Sequence, residues 1–546
     1  MDDPKVQTAE TPTRSILDAE KGSGNVDLEE LGEREGYVLD TSLVQNQHQH
    51  QHLKTTPDGK TVLIPQPSDS PNDPLNWSSF RKHLILIVVS ATAFLPDYGS
   101  ATGAVTLIPQ AAAWNMTQDH VNHSQVGNVF MLGAGGPLVV ALSAYFGRFP
   151  VLFWFVVIAL ATAIWCTAAQ SFESFMAARI LNGFFSTVAQ GGGLMFIKDM
   201  FFFHEHPRKI NIWSAFIVLS PYMGPLFAAF ITTTQIWQWA FGVYSIETGL
   251  CLIAIALFVE ETYYDRRNKS YELVPNGPRW KRMLGIQQRQ SGYIVNTVTD
   301  AAMRPIKVIV KPVVLIATLY YLLTFAWVVG INTTLSIFLG PLYGFGSKQI
   351  GFFYFTPIVA AILGEVTGHW LHDSMAALSS KRNGGRLEPE ARLLAIYIAT
   401  PFMVAGLILL GFALEEAYHY MIAALGWGLY VFGIMIVTVA INAYVLDSYP
   451  EASGEVAAWI NFGRTTGGFV VSYFMVTWAG DQGAKRQFGT MTGIISAYDI
   501  IELVEIERFI QKTVLILYSS SITLTWCLRM SASYIICNLR HLSGCF

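Results

Sequence analysis

The sequence predicts an all-α protein that crosses a bilayer in two halves of six helices, and three observations predict it. Of its 546 residues, 52% are hydrophobic and only 14% are charged, against about 25% charged in an average soluble protein. From Leu84 onward apolar runs of roughly 20 residues recur, each long enough to cross a hydrocarbon core of about 30 Å as a helix. Lys and Arg gather in alternate connections, as retention on the cytosolic side demands.

Taken in order, residues 1–80 are polar, rich in Asp, Glu, Gln, Ser and Pro, and hold no apolar core of signal-peptide length. They read as a disordered cytosolic tail. Its QHQHQH stretch (His48, His50, His52) is a low-complexity polar tract rather than a metal site. The first half, 81–260, carries apolar runs at 84–106, 126–145, 151–169, 175–197, 212–232 and 239–259. A polar, basic stretch at 261–311 suits a cytosolic linker between halves. The second half, 312–546, shows runs at 312–340, 350–371, 393–413, 421–446 and 455–478.

A twelfth helix is due near residue 490, yet that stretch carries Asp499, Glu502, Glu505, Glu507 and Arg508, which a lipid-facing helix does not hold cheaply. An uncharged run at 513–528 and a short tail follow, together holding three of the five cysteines. Residues 490–546 are therefore atypical, with the abrupt change of composition that a gene-model fault or a divergent variant produces.

An N-terminus in the cytosol places Arg81, Lys82, Arg148, Lys198, Arg208 and Lys209 inside, with ten more basic residues between Arg266 and Lys311 and four after span eight. Outside remain Lys348, Lys485 and Arg486, and the glycosylation sequons at Asn115 and Asn122 fall there too.

Several function classes drop out. A net charge of -4 gives no basic field for nucleic acid. The five cysteines form no CxxC pair, so no disulfide framework or zinc site is indicated. Glycines at 133, 135, 136 and 191–193 lie inside apolar helices and read as packing glycines, not nucleotide loops. His204, Glu205 and His206 lack zinc-protease spacing. No catalytic constellation, cofactor or metal is expected. The expected partners are the lipid bilayer, a small solute and protons, and the chain reads as a monomer.

A series of motifs is more specific: DPLNW (73–77), LPDYGSATG (95–103), FGRFP (146–150), ARILNG (178–183), KDMFFFHEHPRK (198–209), SPYMGP (220–225), WQWAF (237–241) and EETYY (260–264) in the first half. The second half adds GEVTGHWLHD (364–373), PEARL (389–393) and YVLDSYPEASGEVAAWINFGRTTGGF (444–469). Over about residues 70–490 the chain resembles the fungal branch of the major facilitator superfamily. Within it, the chain is similar to the twelve-helix drug:proton antiporter group and its polyamine and cation permeases. That resemblance implies a major facilitator fold with internal inverted repeats, alternating access and a place in the plasma or vacuolar membrane.

It also implies site residues. Gly147 and Arg148 fall in the turn that latches the family's inward gate. The family's usual Asp and basic residue fall on Ala144 and Tyr145, and a second arginine on Phe149, which puts the ionic part of the latch in doubt. Gly224 and Pro225 match the antiporter group's Gly-Pro pair, where a lost hydrogen bond bends a helix. Arg179 matches a buried arginine that supports proton coupling beside an acid or ordered water; the competing reading is snorkelling at a helix end.

Charges at membrane depth are costly unless paired, hydrated or facing a cavity. Asp97, between Pro96 and Gly99, is the first candidate for protonation or cation contact, against a structural acceptor at the proline bend. Glu247 and Glu365 are further candidates, Glu365 also for a second-half gate with His369, His372 and Asp373. Arg464 suits a gating role locked to Asp447 or Glu455. Tyr98, Tyr222, Tyr320, Trp327, Asn332 and Tyr444 would complete a pocket, since acids beside aromatics suit cations; membrane aromatics also serve as interfacial belts. The expected function is proton-coupled transport of a small cationic or amphipathic solute. A non-transporting nutrient sensor on the same fold is the alternative, weakened by a short C-terminal tail.

Overall fold

The computed structural model describes residues 54–55, 63–264, 278–287, 297–382, 392–449 and 452–510. The chain forms two units, Met1–Pro67 and Ser68–Phe546. In the first, Leu63 donates its backbone N–H to the Lys54 carbonyl at 3.1 Å, and the Gln66 side chain accepts from the Lys54 N–H at 2.9 Å.

The second unit is helical. Span one is α1 (Ser79–Ala101) and α2 (Gly103–Trp114); span two is α3 (Gln118–Phe146); span three is α4 (Arg148–Ala168). Span four is α5 (Phe172–Ser186) with α6 (Val188–Met200), span five is α7 (His206–Thr234) and span six is α8 (Gln238–Phe258). The linker holds α9 (Arg279–Met283) and α10 (Val298–Ile309). Then come α11 (Pro312–Tyr343), α12 (Ser347–Phe353) with α13 (Phe355–Arg382), α14 (Leu394–Glu415), α15 (Tyr420–Ser448), α16 (Ser453–Gln482) and α17 (Ala484–Ile510) as spans seven to twelve.

Local chemistry sets many of these ends. Ser78, Thr117, Ser171 and Thr297 cap α1, α3, α5 and α10 by accepting a backbone N–H from within the first turn. Pro312 opens α11, where its missing N–H has no helical partner to lose. The joint between α3 and α4 is the single residue Gly147 at φ 95°, a conformation that a Cβ would strain.

Among the described residues ten helical segments are long and apolar enough to cross a membrane, and α16 and α17 are not among them. The sequence predicts that span eleven crosses like the others. Its polar residues are covered by protein instead: α16 packs between α11 of its own half and α3 of the first half. Glycines allow that fit. A Cβ on Gly467 would run into the Leu322 carbonyl, one on Gly463 into the Thr318 carbonyl, and one on Gly468 into Val329. On the other side Gly133 meets Thr465 and Gly136 meets Ala458. Lipid is as apolar as the helices, so such close approach through small residues is what holds spans together.

The twelfth position is filled. α17 runs without interruption to Ile510 and packs on α14, burying Gln487, Phe488, Met491, Thr492 and Ile495. The charged stretch from 499 onward is helical backbone to Ile510, its side chains and residues 511–546 lying outside the described residues. The sequons also part company: Asn115 is exposed at the end of α2, whereas Asn122 is buried inside α3, donating to the Ser472 carbonyl at 3.4 Å.

Candidate functional site

Span one is interrupted at Thr102, and the interruption organises its surroundings. Pro96 lacks an N–H, and the Thr102 hydroxyl folds back onto the Tyr98 carbonyl at 2.8 Å. On one face of α1, Asp97 Oδ2 accepts from Arg464 Nη2 at 2.8 Å and from Gln190 Nε2 at 2.9 Å. Gln190, on α6, also donates to the Ala93 carbonyl at 3.1 Å, and its oxygen accepts from Arg464 at 3.3 Å. Arg464, on α16, donates from Nε and Nη2 to Asn461 Oδ1 at 3.2 and 2.8 Å, and its guanidinium lies 5.2 Å from the centre of the Phe325 ring. Asn461 completes the set with Thr187 Oγ1 at 3.4 Å.

An acid from span one thus meets an arginine from span eleven across the two halves, with side chains only 13% and 10% exposed. Two charges taken from water hold together only while both are present and their remaining hydrogen bonds are met. The guanidinium's other acceptors are Asn461 and Gln190, so the pair is embedded in hydrogen bonds from both halves.

Tyr222 approaches the same network from α7. Its ring is fully buried, edge-on to Trp427 at 6.3 Å, and among the described residues its hydroxyl has no hydrogen-bond partner while lying within electrostatic reach of Asp97 and Arg464. Nearby, Asn332 donates to the Pro221 carbonyl at 2.9 Å, and among the described residues its own side-chain oxygen has no partner. Trp327 packs toward Trp478 at 6.5 Å with its Nε1 unpartnered; the ring against Arg464 is Phe325. Tyr320 and Tyr444 belong to the second-half core.

Other candidates lie apart. Tyr98, next in sequence to Asp97, points the opposite way into the first half, against Phe94 at 5.3 Å and Tyr244 at 6.3 Å. Glu247 lies on that side too, close enough to act electrostatically on its hydroxyl. Neither stands in the Asp97 network. Arg179 is 1% exposed, so it does not snorkel, and among the described residues no acid pairs with it: its two terminal nitrogens donate to the Gly99 and Ser100 carbonyls at 2.6 and 2.8 Å. It holds the interrupted stretch of span one in place. Glu365 sits near the middle of α13, 3.3 Å from His369; His369 reaches His372 at 3.2 Å, and His372 reaches Arg392 of the PEARL motif at 2.7 Å. It belongs with the second-half cluster rather than with Asp97.

The gating candidates divide similarly. Arg148 has ionic partners after all, an ion pair with Asp199 and a hydrogen bond to the Met195 carbonyl at 2.7 Å. The Glu261 carboxylate meanwhile accepts the backbone N–H groups of Arg148 and Phe149 at 3.1 and 3.3 Å, an acid seated at the electropositive start of α4. The FGRFP, KDM and EETYY motifs converge here. Gly224 and Pro225 lie in an unbroken α7, where Gly224 brings that helix against the Tyr98 carbonyl. Arg464 is locked to neither acid expected for it: Glu455 pairs with Arg304 at 2.9 Å, and the Asp447 side chain lies outside the described residues. At the start of α7, ahead of its membrane-crossing stretch Arg208–Thr234, His206 places Nε2 3.0 Å from the Phe201 carbonyl, and burial pushes its imidazole down to about 4, leaving it neutral near pH 7.

Sequence reasoning missed Gln190, Phe325, Asp199 and Glu261. Gln190 had one signal, a lone amide opening a glycine run inside an apolar span.

The family model for the Major Facilitator Superfamily matches residues 80–472. Among curated relatives, the uncharacterized MFS-type transporter C1271.10c of Schizosaccharomyces pombe is 23% identical over 84% of this chain and 90% of its own. The efflux pump radE of Floropilus chiversii is 25% identical over 70% and 71%. Among solved structures, the xylose transporter XylE from E. coli superposes with a TM-score of 0.58 at 15% identity, covering 77% of this chain and 97% of that one. The human organic anion transporter MFSD10 gives 0.52 at 17%, covering 77% and 99%. Proteins of this kind are transporters and not enzymes, and the chain belongs to the Major Facilitator Superfamily as a transporter of the fungal type.

Proposed function

We propose that the protein is a proton-coupled secondary transporter that moves a small cationic or amphipathic solute by alternating access, with proton and solute competing for Asp97. The observation that carries this reading is the 2.8 Å pair of Asp97 with Arg464 across the two halves. Protonation of Asp97 removes the charge that Arg464 answers, and a cation entering between the halves takes Arg464's place. Either event unties the same joint. Binding the two in alternation at one carboxylate couples their movements in opposite directions.

The unpartnered Tyr222 hydroxyl and Asn332 oxygen support a polar solute near this pair. Relatives named as efflux pumps support export, and the motifs favour the polyamine and cation branch. The distribution of Lys and Arg supports an N-terminus and linker in the cytosol.

The test is flux through the purified full chain in proteoliposomes under an imposed pH gradient, with polyamines, cationic drugs, an organic anion and a sugar as probes. Cation flux that follows the proton gradient is expected. Flux indifferent to the gradient, or confined to the anion or sugar, overturns the reading.

A further inference from the structure

The linker helix α10 (Val298–Ile309) ends just before Pro312 opens α11, so it lies where the chain enters the bilayer. At 100° per residue its side chains sort into three faces. Ala301, Pro305 and Val308 are buried against the protein. Ala302, Met303, Ile306 and, one residue on, Val310 form an exposed apolar stripe, Ile306 at 50% and Val310 at 72%. Arg304, Lys307 and Lys311 form a basic edge beside it, with Asp300 bound to its own cap Thr297. Arg304 is engaged by Glu455 at 2.9 Å, whereas among the described residues Lys307 and Lys311 have no ion-pair partner, Lys311 resting 4.3 Å from the Tyr449 ring.

Neither bulk water nor hydrocarbon suits both exposed faces. Water leaves the apolar stripe bare, and hydrocarbon strands the lysines. The headgroup layer satisfies both, with the apolar stripe at the acyl boundary and the ammonium groups among phosphates.

We propose that α10 is a binding site for anionic phospholipid on the linker side of the bilayer, with Lys307 and Lys311 holding the headgroup phosphate and Ile306 and Val310 seated on the acyl chains. The site also reaches the transport machinery. Arg304 holds Glu455, and the Trp459 indole donates to the Pro305 carbonyl at 2.8 Å. Both tie α10 to the first turns of α16, where Glu455 and Trp459 lie nine and five residues before Arg464, or about 13 and 7 Å at 1.5 Å per residue. Lipid on α10 therefore steadies the foothold of the helix that carries Arg464. The site stands on the placement of α10 and needs no proton coupling.

The test is backbone hydrogen exchange across 298–311 in the full chain, held in nanodiscs of phosphatidylcholine alone or with phosphatidylserine added. The expected result is exchange slowed by about fivefold or more with phosphatidylserine, since a lysine at an anionic surface contributes on the order of 1 kcal/mol. Lys307→Gln/Lys311→Gln loses that response and Lys307→Arg/Lys311→Arg keeps it, while Ile306→Ser/Val310→Ser raises exchange in both lipids. Equal exchange of the unaltered protein in the two lipids overturns the proposal, as does a full response in the glutamine variant. Soluble glycerophosphoserine slowing exchange equally in phosphatidylcholine discs marks a free-anion site and overturns it as well.

Discussion

Asp97 Oδ2 is shared between Arg464 Nη2 at 2.8 Å and Gln190 Nε2 at 2.9 Å, so one carboxylate oxygen takes a charged donor from the second half and a neutral one from the first. The neutral bond survives loss of the charge.

Asp97→Asn is accordingly expected to abolish pH-driven transport; it lowers stability by leaving Arg464 without its counter-charge, while the kept Gln190 bond lets the protein still fold. An amide is nearly isosteric and still accepts from Gln190, yet it neither takes up nor releases a proton. Measured in proteoliposomes, normal pH-driven flux through a well-folded Asp97→Asn protein would make the residue architectural.

Arg464→Ala strands a carboxylate at 13% exposure, and removing one member of a buried pair costs on the order of 3 kcal/mol. The double variant Asp97→Asn/Arg464→Ala removes both charges and is expected to melt above Arg464→Ala. A thermal-shift series across the four proteins decides it: additive losses would mean that the two residues do not interact.

Arg179→Gln is expected to destabilise the protein by about 1.5 to 3 kcal/mol, the range for lost hydrogen bonds from a charged group, because it releases the Gly99 and Ser100 carbonyls. Whatever transport remains keeps its pH profile. A shifted profile would instead bring Arg179 into the coupling step.

Gly467→Ala forces a methyl toward the Leu322 carbonyl where α16 meets α11, and overpacking of this kind costs about 1 to 3 kcal/mol. Gly480→Ala, on the same helix, meets nothing within 4 Å and is expected to be neutral or slightly stabilising. Equal melting temperatures for the two variants would show that α16 is not wedged.

The spans were legible because twenty apolar residues in a row have few other uses, and Asp97 stood out because an acid among them is expensive. Its partner was not legible. Arg464 lies 367 residues away, and nothing local says which helix faces which across the midline, so the nearer acids Asp447 and Glu455 looked like its natural mates. The ligands of Arg179 were hidden for another reason: they are backbone carbonyls, placed by the interruption at Thr102 rather than by any side chain. The latch at Arg148 looked broken from sequence because its partners moved to other motifs, Asp199 and Glu261, which only the packed helix ends bring together.

α16 is pinned to its surroundings at three depths: Glu455 to Arg304 near the linker, Arg464 to Asp97 midway, and the Ser472 carbonyl to Asn122 toward the far side. A rod fastened at three heights cannot slide along its neighbour without tearing all three fastenings, but it tips when an end fastening lets go. The middle pin then serves as the fulcrum, and a tilt too small to break it still swings the two ends in opposite senses. Such a lever turns loss of a single contact at either surface into movement at both.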